Sequence, residues 1–138
     1  MTSFMHPEIH DDLVKAVLER KHYVEFSVHG LSHWQRVERN GLYLAERESG
    51  DKVVVSLFAL FHDSQRINDF DDPNHGERGA ALAKEFFEAS YLPISKEQFD
   101  FLHEACCGHT EELFHENPTI KCSWDADRLD LTRIGVLP

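Results

Sequence analysis

Apolar residues recur at helical intervals along most of this chain, and no hairpin signal interrupts them. Ile9, Leu13, Val17 and Leu18 lie close to one helical stripe, and Pro7 suits a first helical position with acids behind it. These features predict a helix from Pro7 to about Arg20, followed by a connection over Lys21 to Gly30. Leu31, Trp34, Val37, Leu42 and Leu44 mark a second helix, with Gly50 as its stop signal. The next segment, KVVVSLFALFHD, is ambiguous, because three consecutive valines favour a strand. Its apolar run lasts about three helical turns, which is long for a strand, so it predicts a buried helix capped by Asp51.

The polar stretch SQRINDFDDPN predicts a loop. Asp72-Pro73-Asn74 is a turn signal, and an aspartate before proline resists helix. A fourth helix is expected from His75 through Ala89. Pro93 then breaks the chain, Ser95 caps a fifth helix, and Glu97 or Gln98 stands near the capping-box position. HTEELFHENP predicts a second loop, and a last helix carries CSWDADRLDLTRIG. The predicted fold class is all-α, a single domain over residues 1–138.

At 138 residues and 41% hydrophobic content, such a chain can bury a core without disulfides. Cys106, Cys107 and Cys122 are odd in number and lack a framework spacing. The opening MTSFMHPEIHDD has no basic start followed by an apolar stretch, and no apolar run approaches the roughly 20 residues of a membrane span. A reduced, cytoplasmic, soluble protein with no membrane partner is expected. The net charge of −11 argues against a surface built to grip a nucleic-acid polymer or anionic lipid. It leaves room for a small phosphorylated ligand, since a bound metal and a few arginines can reverse the local sign. The pattern carries no information on oligomeric state.

Ten histidines change the picture, because histidine is the commonest metal ligand and the natural acid or base at neutral pH. Two His-Asp pairs occur. His10-Asp11 falls in the acidic first turn of a surface helix, where both side chains should be solvated. His62-Asp63 follows LFALF at the end of a buried segment, where an imidazole and a carboxylate without partners would be costly. A metal would satisfy both. His33 in the first turn of the second helix, His75 opening the fourth, His109 closing the fifth and Asp127 within WDADRLDL could complete a site. A bundle can bring such residues together from separate helices. The mixture of histidine and carboxylate suits one or two ions of Mn, Fe, Co, Ni or Zn better than Ca, with Mg a weaker match.

The order His33, His62-Asp63, Asp127, set in the phrases HGLSHWQRV, LFALFHDSQRINDFDDPNHGERGA and WDADRLDL, resembles the HD superfamily of metal-dependent phosphohydrolases, in particular its small stand-alone bacterial members. The resemblance covers roughly residues 29–131. It implies an HD-type helical bundle with a first metal held by His33, His62, Asp63 and Asp127. In some branches two further histidines hold a second metal. His75 and His109 stand at suitable places for this, with Asp63 then bridging the two ions. The chain lacks the glycine-tyrosine-proline extension of the cyclic-dinucleotide branch. Members often continue further beyond the last aspartate than Pro138, so either the sequence is short or the closing helices are absent, and in both cases part of the substrate wall could be missing.

Other roles stand beside these. His33 taken alone could be a core histidine bonded to a backbone carbonyl, and His75 an ordinary residue at a helix start. Cys106 and His109 share a helical face and could join Cys122 in a structural zinc site, although small buried hydrophobes is the simpler role for the cysteines. His6, His10, His22, His29, His103 and His115 read as surface or loop residues. Asp125 and Asp130 should point to other faces of the last helix than Asp127, with Asp130 placed to orient a neighbour.

A phosphate also needs cations. Arg36, Arg66, Arg78 and Arg128 lie near the candidate ligands in sequence, though each could be a surface ion pair. Arg66 and Arg78 are preferred because the long loop between them should border the site. The expected function is hydrolysis of a nucleotide or another small phosphate ester by a metal-activated water. Asp63 would hold or bridge metal, Asp127 would orient the hydroxide, and Arg66 and Arg78 would neutralise phosphoryl charge. The same ligands serve a di-iron oxygenase in a few HD proteins, and a non-catalytic metal- or ligand-binding module is a third candidate.

Overall fold

The computed structural model describes residues 4–20, 30–67, 72–110 and 115–133. Among them six helices and no strand occur: α1 (Asp11–Leu18), α2 (Leu31–Glu48), α3 (Lys52–Phe61), α4 (His75–Glu88), α5 (Lys96–Gly108) and α6 (Pro118–Arg133). The fold is all-α. Residues 21–29 of the expected connection, residues 68–71 and 111–114 of the two expected loops, and Ile134 and Gly135 lie outside the described residues.

Helix α3 explains the arrangement. Every residue from Val54 to Phe61 is buried. A helix that is apolar on all sides must be surrounded, and α3 touches each of the other five helices. Burial on every face overrides the strand preference of its valines. Asp51 starts the helix, its Oδ1 accepting from Val53 N at 3.1 Å and Val54 N at 3.3 Å. Helix α2 lies along α3 and α6, and α4 along α5. The main core cluster draws on all six helices.

Both long cores of the chain end at chemistry. His62 is the C-terminal cap of α3, with Asp63 next to it, and His109 caps α5. Two glycines on one face of α4 let these ends meet. A Cβ at Gly76 would stand 2.4 Å from Cys106 O, and one at Gly79 would stand 2.4 Å from Phe61 O. Without side chains there, α4 can approach the ends of α5 and α3 closely.

Two boundaries differ from expectation. Helix α1 begins at Asp11, not Pro7, with His10 as its cap. The backbone N–H groups of Met5 and His6 donate to the buried Glu38 carboxylate at 2.7 and 2.9 Å, and His6 O accepts from Ile9 N in a turn. That tether, with Ile9 inserted into the core, holds the segment before Asp11 out of helix. Helix α6 begins at Pro118, earlier than expected. Asn117 Oδ1 accepts from Thr119 N and Ile120 N, and proline at the first position loses no helical bond.

Candidate metal centre

Six side chains from five helices converge beneath the surface. His33 comes from α2, His62 and Asp63 from the end of α3, His75 from α4, His109 from the end of α5 and Asp127 from α6. None is more than 6% exposed. They form two groups that share Asp63, one of His33, His62, Asp63 and Asp127, the other of Asp63, His75 and His109.

In the first group His33 Nε2 lies 3.2 Å from His62 Nε2, 3.2 Å from Asp63 Oδ2 and 3.0 Å from Asp127 Oδ1. His62 Nε2 lies 3.3 Å from each of the same two oxygens. In the second, His75 Nε2 lies 3.0 Å from His109 Nε2 and 3.1 Å from Asp63 Oδ1, which is 3.5 Å from His109 Nε2. Metal–ligand bonds of about 2.1 Å place neighbouring donors about 3.0 Å apart at octahedral corners and about 3.4 Å apart at tetrahedral ones. Both groups match that spacing.

The far side of each ring says which nitrogen is available. His62 Nδ1 faces Phe58 O and Ala59 O at 3.0 and 3.1 Å, His75 Nδ1 faces Asp72 O at 2.6 Å, and His109 Nδ1 faces Cys106 O at 2.8 Å. His33 Nδ1 faces Asp130 Oδ2 at 2.6 Å. In the neutral ring an oxygen acceptor places the proton on Nδ1 and leaves Nε2 as a bare lone pair. Four such lone pairs point inward, and Asp127 Oδ1 is buried among them with no hydrogen-bond partner. This donor set fits one or two divalent cations.

The electrostatics agree. Burial lowers the pKa of His33, but the carboxylates of Asp127, Asp130 and Asp63 outweigh it and carry the imidazole up to about 11. Burial likewise opposes the charge of His62, yet Asp63 and Asp127 raise it to about 9. Burial would raise the Asp127 carboxyl, but His62 and His33 hold it far below the usual range. The pocket calls for positive charge.

Neighbouring residues support the cluster. The Phe58 ring stacks on His62 with centroids 4.7 Å apart and meets His109 edge-on at 5.8 Å. Arg66, itself buried, donates from Nε to Asp63 Oδ1 at 3.2 Å. Arg78 stands further out, paired with Asp72 and donating from Nε to Gln65 O at 3.1 Å. Asp72 also accepts from Ile67 N at 2.8 Å, so its carboxylate joins Ile67 to Arg78. Arg36 is joined to Asp130, and Arg128 lies 3.8 Å from Asp125.

The six residues expected as ligands come together in the cluster. Asp130, expected on another face of α6 than Asp127, instead contacts the same His33 ring, which it could orient. Sequence reasoning missed Phe58, Asp72 as the acceptor for His75, and the paired glycines of α4. The spacing of Gly76 and Gly79, three residues apart, was the available signal for a close approach. The cysteine alternative has no support here, since no cysteine joins either group. Burial pushes the Cys106 thiol well above its ordinary value and the Cys122 thiol up to about 11, so neither is a ready thiolate ligand. His10 and Asp11 are exposed as expected, and His22 and His29 lie outside the described residues.

Two surface hollows, of about 390 and 430 Å³, lie against α4–α5 and against α1, and no residue of the cluster lines either. Among the described residues no helix is long and apolar enough to cross a membrane. No family model, curated protein or solved structure matches this chain.

Proposed function

We propose that this protein is a metal-dependent phosphohydrolase of the HD type, acting on a nucleotide or another small phosphate ester. One observation carries the reading. Asp63 turns its two oxygens toward two different histidine pairs, Oδ2 toward His33 and His62 and Oδ1 toward His75 and His109. A carboxylate placed between two donor groups suits a pair of ions working on one phosphoryl group. The motif order His33, His62-Asp63, Asp127 supports the same assignment.

Bound divalent ions of the Mn, Fe, Co, Ni or Zn type would supply Lewis acidity toward a phosphoryl oxygen and acidify water. His33, His62, Asp63 and Asp127 would hold one ion, and Asp63, His75 and His109 the other. Asp127 Oδ1, lacking a hydrogen-bond partner, would orient the water or hydroxide. Arg66, on Asp63 Oδ1, stands where charge on a phosphoryl oxygen would be met, and Arg78, in the first turn of α4, adds positive charge beside it through its bond to Gln65 O. Free thiols at all three cysteines suit a reduced, cytoplasmic setting.

The test is to purify the protein without chelator and count ions per chain by elemental analysis, beside His62→Ala and His109→Ala. Hydrolysis of p-nitrophenyl phosphate, its diester and a nucleotide panel is then measured with each metal. Expected are about two ions, one of them lost in His109→Ala, and turnover that disappears in Asp63→Asn. Full metal occupancy with no hydrolysis across the panel would sink the proposal.

A di-iron oxygenase is the second reading. The observation in its favour is that Arg36, Arg66 and Arg78 already face Asp130, Asp63 and Asp72, carboxylates that compete for their charge. Iron-dependent oxygen uptake would select it, and turnover of phosphate esters with zinc would reject it.

A further inference from the structure

The four histidines of the cluster are not backed alike. His62, His75 and His109 place Nδ1 against neutral backbone carbonyls, whereas His33 places it against a carboxylate, Asp130. Asp130 is 2% exposed, and its other oxygen accepts from Arg36 Nε at 2.6 Å. Arg36 Nη2 reaches Oδ2 at 3.2 Å. Arg36 follows His33 by one turn on α2, and Asp130 follows Asp127 by one turn on α6. The contacts therefore run from Arg36 to Asp130, to His33 and to Asp127, joining α2 and α6 at each step.

A carboxylate behind a ligating imidazole fixes the ring and strengthens the opposite nitrogen as a donor. A carbonyl fixes the ring but adds no negative charge. The first group thus has Asp63 and Asp127 as ligands and Asp130 behind His33. Among the described residues the second has only Oδ1 of the shared Asp63, on which Arg66 also donates. The two groups should differ in affinity in a fixed direction.

We propose that Asp130, held by Arg36, is a positioning residue that makes the His33–His62–Asp63–Asp127 group the tighter of two metal sites. This rests on the metal-binding reading above. A plain tie between α2 and α6 would explain the same ion pair. Such a tie would affect the whole fold, and both ions alike, when broken.

The experiment titrates metal-free protein with Zn²⁺ against a chromophoric chelator, for wild type, Asp130→Asn, Arg36→Gln and Asp125→Asn. Asparagine at 130 retains an oxygen for His33 Nδ1 and removes only the charge. The tighter ion should weaken about 10- to 100-fold in Asp130→Asn and by a smaller factor in Arg36→Gln, with the weaker ion unchanged. Asp125→Asn should match wild type, because Asp125 faces Lys121 and Arg128 instead. Equal weakening of both ions, or of neither, in Asp130→Asn overturns the proposal. If that variant does not fold, Arg36→Gln decides: selective loss at the tighter ion supports the role, and no loss overturns it. A wild type that binds no zinc overturns the metal reading itself, an outcome distinct from two bound ions and an indifferent Asp130.

Discussion

The Nε2 atoms of His33 and His62, 3.2 Å apart with their ring protons on the far side, repel unless a cation or a proton lies between them. In the metal-free protein that charge must come from protons. Free histidine titrates near about 6.5, whereas the carboxylates around His62 and His33 carry them to about 9 and about 11. The folded state therefore holds these protons more tightly than the unfolded state. Their stabilisation is complete below about pH 6.5 and is lost as pH rises through the two folded values. Urea midpoints of metal-free protein should fall from pH 6 toward pH 10, and a rising midpoint would contradict the assignment. A second carboxylate matters differently. Glu38 is 1% exposed and accepts from Met5 N, His6 N and Ser56 Oγ. Glu38→Ala strands these donors at roughly 1–3 kcal/mol for each that stays buried, so the urea midpoint should drop while the metal count stays the same. The clustered residues were legible because a histidine or aspartate beside an apolar run is anomalous. Glu38 was not, because a glutamate in mid-helix is ordinarily a solvated one. Only the position of another element, here the segment before α1, turns it inward.

The site needs two helix ends brought against α4, and Gly76 makes one of those contacts possible. An alanine there would put Cβ 2.4 Å from Cys106 O and 3.3 Å from His109 Nδ1, so α4 or α5 must move. Overpacking of this kind costs about 1–3 kcal/mol, against which alanine's better helix propensity returns about 1 kcal/mol. Gly76→Ala is expected to lose the ion of the His75–His109 group while retaining the other, as elemental analysis would read directly. Gly41→Ala is the comparison, since its Cβ would meet side chains alone, Val55 at 3.3 Å and Ala126 at 3.7 Å, and leave both ions bound. Loss of both ions, or of neither, in Gly76→Ala would mean that α4 does not set the second group. The elements themselves were largely readable. Asp51 and the Ser95–Gln98 capping box mark starts of α3 and α5 through local bonds that a sequence displays. The start of α1 is set by a distant carboxylate, and its misplacement at Pro7 follows from that. Pro118 reads equally as a loop residue or a first helical residue, and the Asn117 cap decides between them.

Each candidate group draws on three elements, α2, the end of α3 and α6 for one, and the end of α3, α4 and α5 for the other. A bound metal would therefore brace helices that no single one could release alone. Binding to the folded state only should then raise stability by mass action, about 2.7 kcal/mol per site at a hundredfold excess over Kd. For a chain of 138 residues each kcal/mol moves Tm by about 2–4 °C or slightly more, so one filled site should add roughly 5–10 °C. Generic charge offers a competing explanation. A protein of net charge −11 gains some stability from any dication that relieves its self-repulsion. Salt separates the two causes. At physiological ionic strength exposed charges are screened beyond about 8 Å, and more salt shortens that range, whereas six buried ligands are shielded from it. Thermal melts with and without chelator, repeated at high NaCl, should preserve most of the shift in the wild type and abolish it in Asp63→Asn. A shift that vanishes with salt, or that persists in Asp63→Asn, would assign the effect to the surface and leave the buried cluster without a metal to hold.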